Sequence, residues 1–318
     1  MEQARFRAMG TDCQVLVAAP AHESMLLELA IQRVELLEQS WSRFRPDSEL
    51  CRLNARAGLA PVQVSADVLI LADRMAQAWH LTDGLFDPTV LASMIALGYD
   101  ADLATVVARV VPAADDVVVQ PAPGMQGVIV DDIDSTVQLP AGVGIDPGAI
   151  GKGLGADIVV DELLGAGATG VLVNLGGDIS VGGSLDERWV IAIEDPGTDV
   201  PAALVTLPQG VGRAGIATST TSKRRWAAGR RHHIIDPRTG SMAENDIAQA
   251  TVVSDRAWRA EVLATTAMLA DDAALDSAIR CAGAWCRIVR RDGSVDELGA
   301  LTTLDLPVHD THLEALRG

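Results

Sequence analysis

The chain has 318 residues, 48% of them hydrophobic, and its 43 acidic against 25 basic residues give a formal net charge of −18. That length allows one large domain or two, and the apolar fraction is ample for a sizeable core. The negative charge argues against a nucleic-acid partner, because a polyanion is repelled at long range. No run approaches the roughly 20 apolar residues that a membrane-spanning helix needs, so we expect no membrane span.

Hydrophobic periodicity predicts two strands, three helices and a hairpin in the first 140 residues. The strand covers 5–18, the helices cover 24–40 and 67–81, residues 101–120 give a helix followed by a strand at 117–119, and the hairpin pairs 127–130 with 136–139. The N-terminus shows neither an apolar signal core nor a lipid-attachment cysteine, so we expect a cytoplasmic protein unless a leader was removed.

The remaining residues predict mostly strands, with helices inserted in blocks. Helices are predicted over 153–166, 256–270 and 273–281, and strands over 170–175, 178–182, 188–194, 203–206, 211–217, 231–235, 248–254, 285–290 and 294–298. Adjacent strands joined by hairpins indicate an α+β fold with a largely antiparallel or mixed sheet and helices packed on it. We expect one domain over 1–304 and a tail over 305–318, whose His309, His312 and Glu314 are solvated rather than a metal cluster.

The four cysteines match no zinc-binding pattern. Cys13 and Cys51 are far from each other and from Cys281 and Cys286, which are separated by four residues. We expect Cys281 and Cys286 to be small buried residues.

A glycine-rich turn is the most informative segment of the chain. Asp146-Pro-Gly-Ala-Ile-Gly-Lys-Gly-Leu-Gly-Ala-Asp157 leads into a helical pattern, and the following strand ends in Gly176-Gly-Asp178. Glycines let main-chain N–H groups approach phosphate oxygens, the helix start carries partial positive charge, and Lys152 adds a full one. The segment therefore predicts a pocket for a phosphate-bearing ligand, with a plain helix–strand junction as the alternative.

A second basic feature stands out against the acidic composition. Lys223-Arg-Arg225 and Arg230-Arg-His-His233 flank Trp226-Ala-Ala-Gly229, which predicts a hairpin turn with a basic rim. Such a rim could attract a pyrophosphate, or it could be an ordinary solvated face.

Six further motifs follow one another along the chain. They are Met9-Gly-Thr11, Trp41 to Leu50 with Asn54, Thr82-Asp-Gly-Leu-Phe-Asp-Pro-Thr89, Gly215-Ile-Ala-Thr-Ser219, His233-Ile-Ile-Asp-Pro-Arg-Thr-Gly240 and Glu261-Val-Leu-Ala-Thr265. Together with the glycine turn they resemble the ApbE family, the FAD:protein FMN transferases, over nearly all of 5–270. The resemblance implies an ApbE-like fold related to the T-fold. It also implies transfer of FMN from FAD to a Thr or Ser hydroxyl of an acceptor flavoprotein, with Mg²⁺ as cofactor and AMP as product.

The resemblance also assigns roles to individual residues. It implies that FAD contacts Asp146, that Lys152 contacts the FAD phosphate, and that His233 is catalytic. Further FAD-contacting positions match Met9, Phe44, Leu85, Phe86, Asp87 and Ile234, several of them through main-chain groups. A histidine beside a strand is often structural, but its pKa near neutrality suits proton transfer.

The metal ligands implied by the resemblance are Ala149, Glu261, Ala264 and Thr265. Mg²⁺ prefers oxygen ligands, and residues 261 and 265 share one face of a helix because they are four positions apart. The family usually has Asp at position 261, so this chain departs from the pattern by one methylene. The alternative is a helix that packs through Val262, Leu263 and Met268 and leaves Glu261 exposed.

Two other functions are compatible with these residues. An FAD pyrophosphatase would use water in place of the acceptor hydroxyl at the same site, and a non-catalytic FAD-binding or storage protein would need no intact metal site.

Overall fold

The computed structural model describes residues 1–109, 117–183, 188–196, 201–207 and 212–299. The strands are β1 (Glu2–Ala8), β2 (Thr11–Ala18), β3 (Val62–Gln63), β4 (Ile129–Asp131), β5 (Thr136–Gln138), β6 (Gly170–Leu175), β7 (Asp178–Gly183), β8 (Val190–Glu194), β9 (Pro201–Thr206), β10 (Arg213–Thr220), β11 (Arg225–Trp226), β12 (Arg231–His232), β13 (Ile247–Ser254), β14 (Trp285–Arg290) and β15 (Val295–Gly299). The helices are α1 (Glu23–Trp41), α2 (Glu49–Asn54), α3 (Ala66–Leu81), α4 (Leu91–Ala96), α5 (Leu103–Ala108), α6 (Gly151–Gly165), α7 (Ala257–Ala267) and α8 (Asp272–Cys281).

The centre of the fold is an eight-stranded sheet in the order β1-β2-β6-β7-β10-β13-β14-β15. Every neighbouring pair within it is antiparallel. This confirms the predicted α+β class with a largely antiparallel sheet. Three smaller sheets, β3-β5-β4, β8-β9 and β11-β12, pack around it.

The two faces of the central sheet are covered differently. In β6, Val171 and Val173 pack against α1 and α6, whereas Leu172 between them packs with Trp189 and Ile191 of the β8–β9 segment. This follows from the alternation of side chains along a strand. Helices α7 and α8 cover β10, β13 and β14 on the same face as α6. The helices on that face therefore lie side by side, and their ends meet above the middle of the sheet.

The strand predicted over 5–18 is wrong in one respect: it is a hairpin rather than a single strand. β1 and β2 pair with Ala8 opposite Thr11, and Met9 and Gly10 between them have φ values of 50° and 69°. Two consecutive positive φ values suit the tight turns that match the twist of paired strands. The alternation of apolar and polar residues continues across so short a turn, so the periodicity of the sequence does not reveal the turn.

Other differences are local. The short helices α2 and α4 were not predicted, and residues 117–119 do not form the predicted strand. Of the strand predicted over 231–235, only β12 is paired as a strand. It is followed by an isolated bridge between Ile235 and Met242. These segments are too short for periodicity to distinguish. The tail over 305–318 lies outside the described residues.

A separate apolar cluster joins the end of α1 to α2, α3 and α7. Its members include Trp41, Leu71, Ile145, Trp258 and Val262, all nearly inaccessible to solvent. Trp41 belongs to this core and donates its indole N–H to the carbonyl oxygen of Asp67 at 3.0 Å. The cluster fixes the loop before Asp146 against the start of α6, which positions the candidate site.

Two smaller expectations can also be compared with the structure. All four cysteines are free; Cys286 is buried as predicted, but Cys281 is exposed at the end of α8, so that half of the prediction is wrong. None of the helices in the described residues is long and apolar enough to cross a membrane.

Candidate active site

Three buried charges meet where α6 begins. The ammonium group of Lys152 lies 2.6 Å from Oε1 of Glu261 and also contacts the carboxylate of Asp178. The second oxygen of Glu261 accepts a hydrogen bond from the main-chain N–H of Gly153 at 2.7 Å. Glu261 is therefore buried, with 3% of its surface exposed, and the alternative that left it on the solvent side of α7 is wrong.

Local sequence explains why these groups converge. A Cβ at Gly153 would lie 2.5 Å from the carbonyl oxygen of Ala257, so only glycine lets α7 approach α6 this closely. Asp157, one turn further along α6, accepts a hydrogen bond from the N–H of Trp258 at 3.1 Å and thereby caps the start of α7. Asp178 follows a tight turn in which Gly176 has φ 73°, and a Cβ there would collide with Thr11.

The buried cluster perturbs its own ionisation. Burial, and then the neighbouring charge of Asp178, raises the pKa of Glu261 to about 7, although Lys152 partly opposes the change. Burial alone would lower the pKa of Lys152, but the two carboxylates outweigh it and raise that pKa. Lys152 is therefore charged at neutral pH. Buried groups with perturbed pKa values at the start of a helix mark this cluster as a candidate functional site.

The oxygens that could hold a metal lie around the same point. The N–H of Gly153 donates to the carboxylate of Glu261 rather than to the carbonyl of Ala149. The N–H of Met268 donates to the main-chain carbonyl of Thr265 rather than to that of Ala264. Both alanine carbonyls thus lack the N–H that a regular α-helix would supply four residues later. The hydroxyl of Thr265 lies 3.2 Å from that of Ser219.

This donor set consists only of oxygens and suits a hard cation such as Mg²⁺. It contains a single carboxylate among its ligands, and the described residues hold no group of three or more His, Cys, Asp or Glu that could bind a metal. The chemistry of the four donors fits Mg²⁺, with Lys152 as a competitor for the carboxylate of Glu261.

A second buried ion pair lies in front of the glycine turn. The Nε atom of Arg43 is 3.0 Å from Oδ2 of Asp146, and each side chain is 7% exposed. The other oxygen of Asp146 accepts from the N–H of Gly148 at 2.8 Å. The pair therefore anchors the turn that leads to Lys152, and Asp146 is held rigidly rather than projecting freely into solvent.

Neighbouring loops brace this turn. The side-chain amide of Asn54 bonds both the N–H and the carbonyl of Ile145, each at 2.9 Å, and the N–H of Asp146 donates to the carbonyl of Pro88 at 2.8 Å. Asp87 accepts from the N–H and the hydroxyl of Thr89. Burial raises the pKa of Asp87, against the lowering effect of these bonds.

Arg43 also belongs to a stack of flat side chains. Its guanidinium carbon lies 4.1 Å from the centre of the Phe44 ring and 4.6 Å from that of Tyr99. Tyr99 stacks on Trp226 with ring centres 4.9 Å apart. This stack connects the segment around Asp146 to the β11–β12 hairpin that precedes His233, and it leaves Phe44 37% exposed at its end.

His233 follows β12 and lies close enough to the basic cluster to respond to it. Burial, and then the positive charge of Arg224, lowers the pKa of His233 well below its usual value, so the imidazole is neutral at neutral pH. Its Nδ1 atom is shielded from solvent and has no hydrogen-bond partner within the described residues. Unpartnered buried nitrogens are rare and call for an explanation, and a role in binding or proton transfer supplies one.

The other predicted site residues lie around these features, with different exposure. Met9 and Leu85 are partly exposed, whereas Phe86 and Ile234 are buried in two apolar clusters. The side chains of Phe86 and Ile234 therefore pack the core, and only their main chain could contact a ligand. The N–H of Met9 is bound to Glu38 at 2.8 Å.

Sequence reasoning did not single out Arg43, Arg224 or Tyr99. Arg43 was one arginine among many, and only its burial between two rings distinguishes it. Tyr99 is the only tyrosine in the chain, a compositional signal that could have drawn attention to it. The aspartate of the Gly-Gly-Asp178 turn was noticed but was not given a role.

Comparisons with known proteins agree with this architecture. A model of the ApbE family matches residues 9–283. The FAD:protein FMN transferase of Treponema pallidum (strain Nichols) is 32% identical, covering 81% of this chain and 75% of its own. The enzyme of the same description from Vibrio cholerae is 29% identical, covering 78% and 74%.

Solved structures show the same fold. The ApbE protein from Thermotoga maritima superposes with a TM-score of 0.82 at 25% identity, covering 96% of this chain and 99% of its own. The flavin transferase ApbE from Vibrio cholerae has a TM-score of 0.75 at 24% identity, covering 94% and 97%.

The family match and the curated relatives, together with this fold, identify a flavin-transferring enzyme. The chain belongs to the ApbE family. Its enzymatic type is that of the FAD:protein FMN transferases.

Proposed function

We propose that this enzyme transfers FMN from FAD to a Thr or Ser hydroxyl of an acceptor flavoprotein and releases AMP, with Mg²⁺ as cofactor. The observation that carries the proposal is the buried Lys152 held between Asp178 and Glu261 at the start of α6. In this reaction the acceptor oxygen forms a bond to the phosphorus of the FMN half, and the bond from that phosphorus to the bridging oxygen breaks. AMP keeps the bridging oxygen, and the hydroxyl proton goes to a base.

Charge neutralisation is the first requirement of such a transfer. The ammonium of Lys152 and the positive end of the α6 helix dipole would offset negative charge on a pyrophosphate. The Arg43–Asp146 pair holds the glycine turn in place, and the exposed face of Phe44 offers a surface on which a flat ring can stack.

The metal donors are proposed as the carboxylate of Glu261, the hydroxyl of Thr265 and the carbonyls of Ala149 and Ala264. Mg²⁺ bound there would neutralise negative charge on the phosphates. For Glu261 to serve as a ligand, its Oε1 must be released from Lys152, which retains Asp178 as its partner.

We assign to His233 the role of the base that accepts the proton of the acceptor hydroxyl. An imidazole that is neutral at neutral pH can accept the hydroxyl proton, and its unpartnered Nδ1 has a free lone pair when the ring carries its proton on Nε2. His232 cannot substitute, because its Nδ1 accepts from the N–H of Ile234 at 3.3 Å.

We also propose one domain over 1–304 and a cytoplasmic location. The central sheet includes both β1 near the N-terminus and β15 near residue 299, which supports one domain. The free cysteines suit a reducing compartment.

The decisive experiment is incubation of the protein with FAD, Mg²⁺ and a lysate of the native organism, followed by in-gel flavin fluorescence and measurement of AMP. A fluorescent band that survives denaturation, with AMP released, supports the transferase. Free FMN and AMP without a labelled protein would indicate the pyrophosphatase, and bound but unchanged FAD would indicate the storage protein.

A further inference from the structure

The register of the β11–β12 hairpin sets an arginine against His233. Arg225 lies opposite His232 in the outermost pair at the open end of the hairpin. One residue further out on each side come Arg224 and His233, so the same register makes these two opposite neighbours. Cα atoms of residues that face each other in an antiparallel pair are about 4.5–5.5 Å apart, and their side chains share one face. Arg224 and His233 therefore lie side by side.

That face of the hairpin is directed at the candidate active site. Side chains alternate along a strand, so Arg224 shares its face with Trp226. The Trp226 ring stacks on Tyr99 with ring centres 4.9 Å apart, and the guanidinium carbon of Arg43 lies 4.6 Å from the centre of the Tyr99 ring. Arg43 forms the ion pair with Asp146. The face that carries Arg224 therefore packs towards the glycine turn through these stacked side chains.

The charges of the two neighbouring arginines act on opposite faces of the hairpin. Burial, and then the charge of Arg225, lowers the pKa of His232 to about 4. Burial, and then the charge of Arg224, lowers the pKa of His233. Each arginine is thus the leading charged neighbour of the histidine that the register places opposite it. This division of the charges agrees with the alternation of the side chains.

Arg224 also acts on residues outside the hairpin. Burial lowers the pKa of Lys152, the two carboxylates beside it more than reverse this, and the charge of Arg224 acts in the same direction as burial. Burial raises the pKa of Tyr99, and Arg224 is the first of the charges that oppose the rise. A cation that acts on Lys152, Tyr99 and His233 lies between the glycine turn and the hairpin.

Arg224 has no counter-charge of its own. Its side chain is partly buried, and across the described ranges no carboxylate lies within ion-pair distance of its guanidinium. The carboxylates of Asp178 and Glu261 are bound to Lys152 instead. The N–H groups of Arg224 therefore remain available to an anion, and the planar fork of a guanidinium matches the oxygens of a phosphate group.

We propose that Arg224 is a further catalytic residue, whose guanidinium binds the pyrophosphate of the dinucleotide next to His233. The inference rests on the proposed transferase function. In that reaction the acceptor oxygen bonds to the phosphorus of the FMN half, the hydroxyl proton passes to His233, and the electron pair of the broken bond stays on the bridging oxygen of AMP. Negative charge therefore grows on the departing phosphate. Arg224 keeps its own proton throughout and stabilises that charge from the hairpin side, while Lys152 acts from the helix side.

The first test measures binding, so it does not depend on turnover. Calorimetric titration gives the affinities for FAD and ADP, which carry a pyrophosphate, and for riboflavin, which carries no phosphate. Arg224→Gln should weaken FAD and ADP binding about 5- to 30-fold and change riboflavin binding by less than about 2-fold. Arg224→Lys retains the charge without the planar fork, so it should lose less affinity than Arg224→Gln.

Lys223→Gln is the matched control. It removes one positive charge from the adjacent residue, which is exposed, and should leave all three affinities within about 2-fold of the parent. The main-chain carbonyl of Arg224, which lies beside the imidazole of His233, is retained in every variant, so the comparison isolates the guanidinium. Circular dichroism and thermal unfolding confirm that each variant is folded.

The second measurement is the turnover number, from AMP release at saturating FAD. Arg224→Gln should lower it about 10- to 100-fold, because the guanidinium acts on charge that develops in the transition state, and Lys223→Gln should match the parent. The proposal is overturned if Arg224→Gln binds FAD and ADP as tightly as the parent, loses riboflavin affinity to the same extent, or keeps full turnover. Equal losses in Lys223→Gln would overturn it as well.

The proposed transferase function can fail separately. A parent protein that binds FAD but transfers no FMN to any protein would count against that function, whereas a loss of ADP affinity in Arg224→Gln would still support the contact with phosphate.

Discussion

The ammonium nitrogen of Lys152 and a carboxylate oxygen of Glu261 lie 2.6 Å apart although the two residues are separated by 109 positions in the chain. The contact joins the first turn of α6 to the middle of α7. Glu261 is buried and the side chain of Lys152 is only 14% exposed. Removing Lys152 would leave two buried carboxylates without a counter-charge, whereas Lys152 keeps Asp178 as a partner if Glu261 is removed. This pair links the two helices and involves the two side chains proposed to bind phosphate and metal.

Replacement of Glu261 should affect both metal dependence and stability. Glu261→Gln should remove most Mg²⁺-dependent AMP release, because a neutral amide is a far weaker ligand for a hard cation. Since Glu261 is buried and paired, the same change should lower the free energy of unfolding by about 1–3 kcal/mol, with Asp178 still compensating Lys152. Urea unfolding and AMP release across a Mg²⁺ titration measure the two effects.

Glu261→Asp is the matched variant. It keeps the charge but shortens the side chain by one methylene, so it should retain activity and need more Mg²⁺ for half-maximal rate. If Glu261→Gln equals the parent at every Mg²⁺ concentration, Glu261 is not a metal ligand.

FAD affinity should depend on Asp146 and Lys152. Asp146→Asn keeps the shape of the side chain but removes the charge that binds Arg43, and Lys152→Ala removes the ammonium group. Loss of one charge-assisted contact costs about 1.5–3 kcal/mol, which corresponds to roughly 10- to 150-fold in affinity. Calorimetric titration with FAD, after thermal unfolding has confirmed a folded protein, gives the measurement.

The other lysine, Lys223, provides the control for that experiment because it is exposed. Lys223→Ala should bind FAD with nearly the parental affinity. Unaltered affinity in both Asp146→Asn and Lys152→Ala would remove the proposed FAD site from the glycine turn.

The two adjacent histidines should behave differently in catalysis. His233→Asn should keep FAD bound while lowering the turnover number about 10²- to 10⁴-fold, the usual scale for loss of a general base. His232→Asn should have little effect on turnover, because the Nδ1 atom of His232 already accepts a hydrogen bond from the main-chain N–H of Ile234. AMP release at saturating FAD distinguishes them, and equal losses would mean that the histidines act through folding or overall charge.

His232 should instead govern a pH dependence of stability. Its pKa of about 4 in the folded protein lies below the ordinary value of 6.5, so the unfolded chain binds the proton more readily. The neutral His232 therefore contributes its full stabilisation of the folded state above pH 6.5, and this contribution is lost as the pH falls towards 4. At about 1.4 kcal/mol per pKa unit, the loss attributable to His232 is at most about 3 kcal/mol.

Urea unfolding of the parent and of His232→Asn over this pH range isolates the effect, since all other titrating groups are common to both. The parent should lose more stability than the variant on acidification. Parallel curves would show that His232 does not resist protonation in the folded state.

Much of the architecture follows from local pattern in the sequence. The antiparallel sheet was predictable because strand alternation and hairpin spacing are encoded within short segments, and the turn at Ala227, Ala228 and Gly229 was predictable from the residues that flank it. Elements of only a few residues, such as α2, carry too little periodicity to be predicted. The hairpin at Met9 was missed because its turn does not interrupt the alternation.

The segments that carry the candidate site residues could also be recognised in the sequence, but the side chains with which those residues pair could not. Glycine turns and the order of the motifs drew attention to Asp146, Lys152, His233 and Glu261. Nothing local indicates that Arg43 pairs with Asp146, or that Glu261 points inward to Lys152, because an ion pair between distant segments depends on how helices pack. Only the tertiary structure decides these contacts: the missing side chain of Gly153 lets α7 approach α6, and burial then makes each charge require its partner.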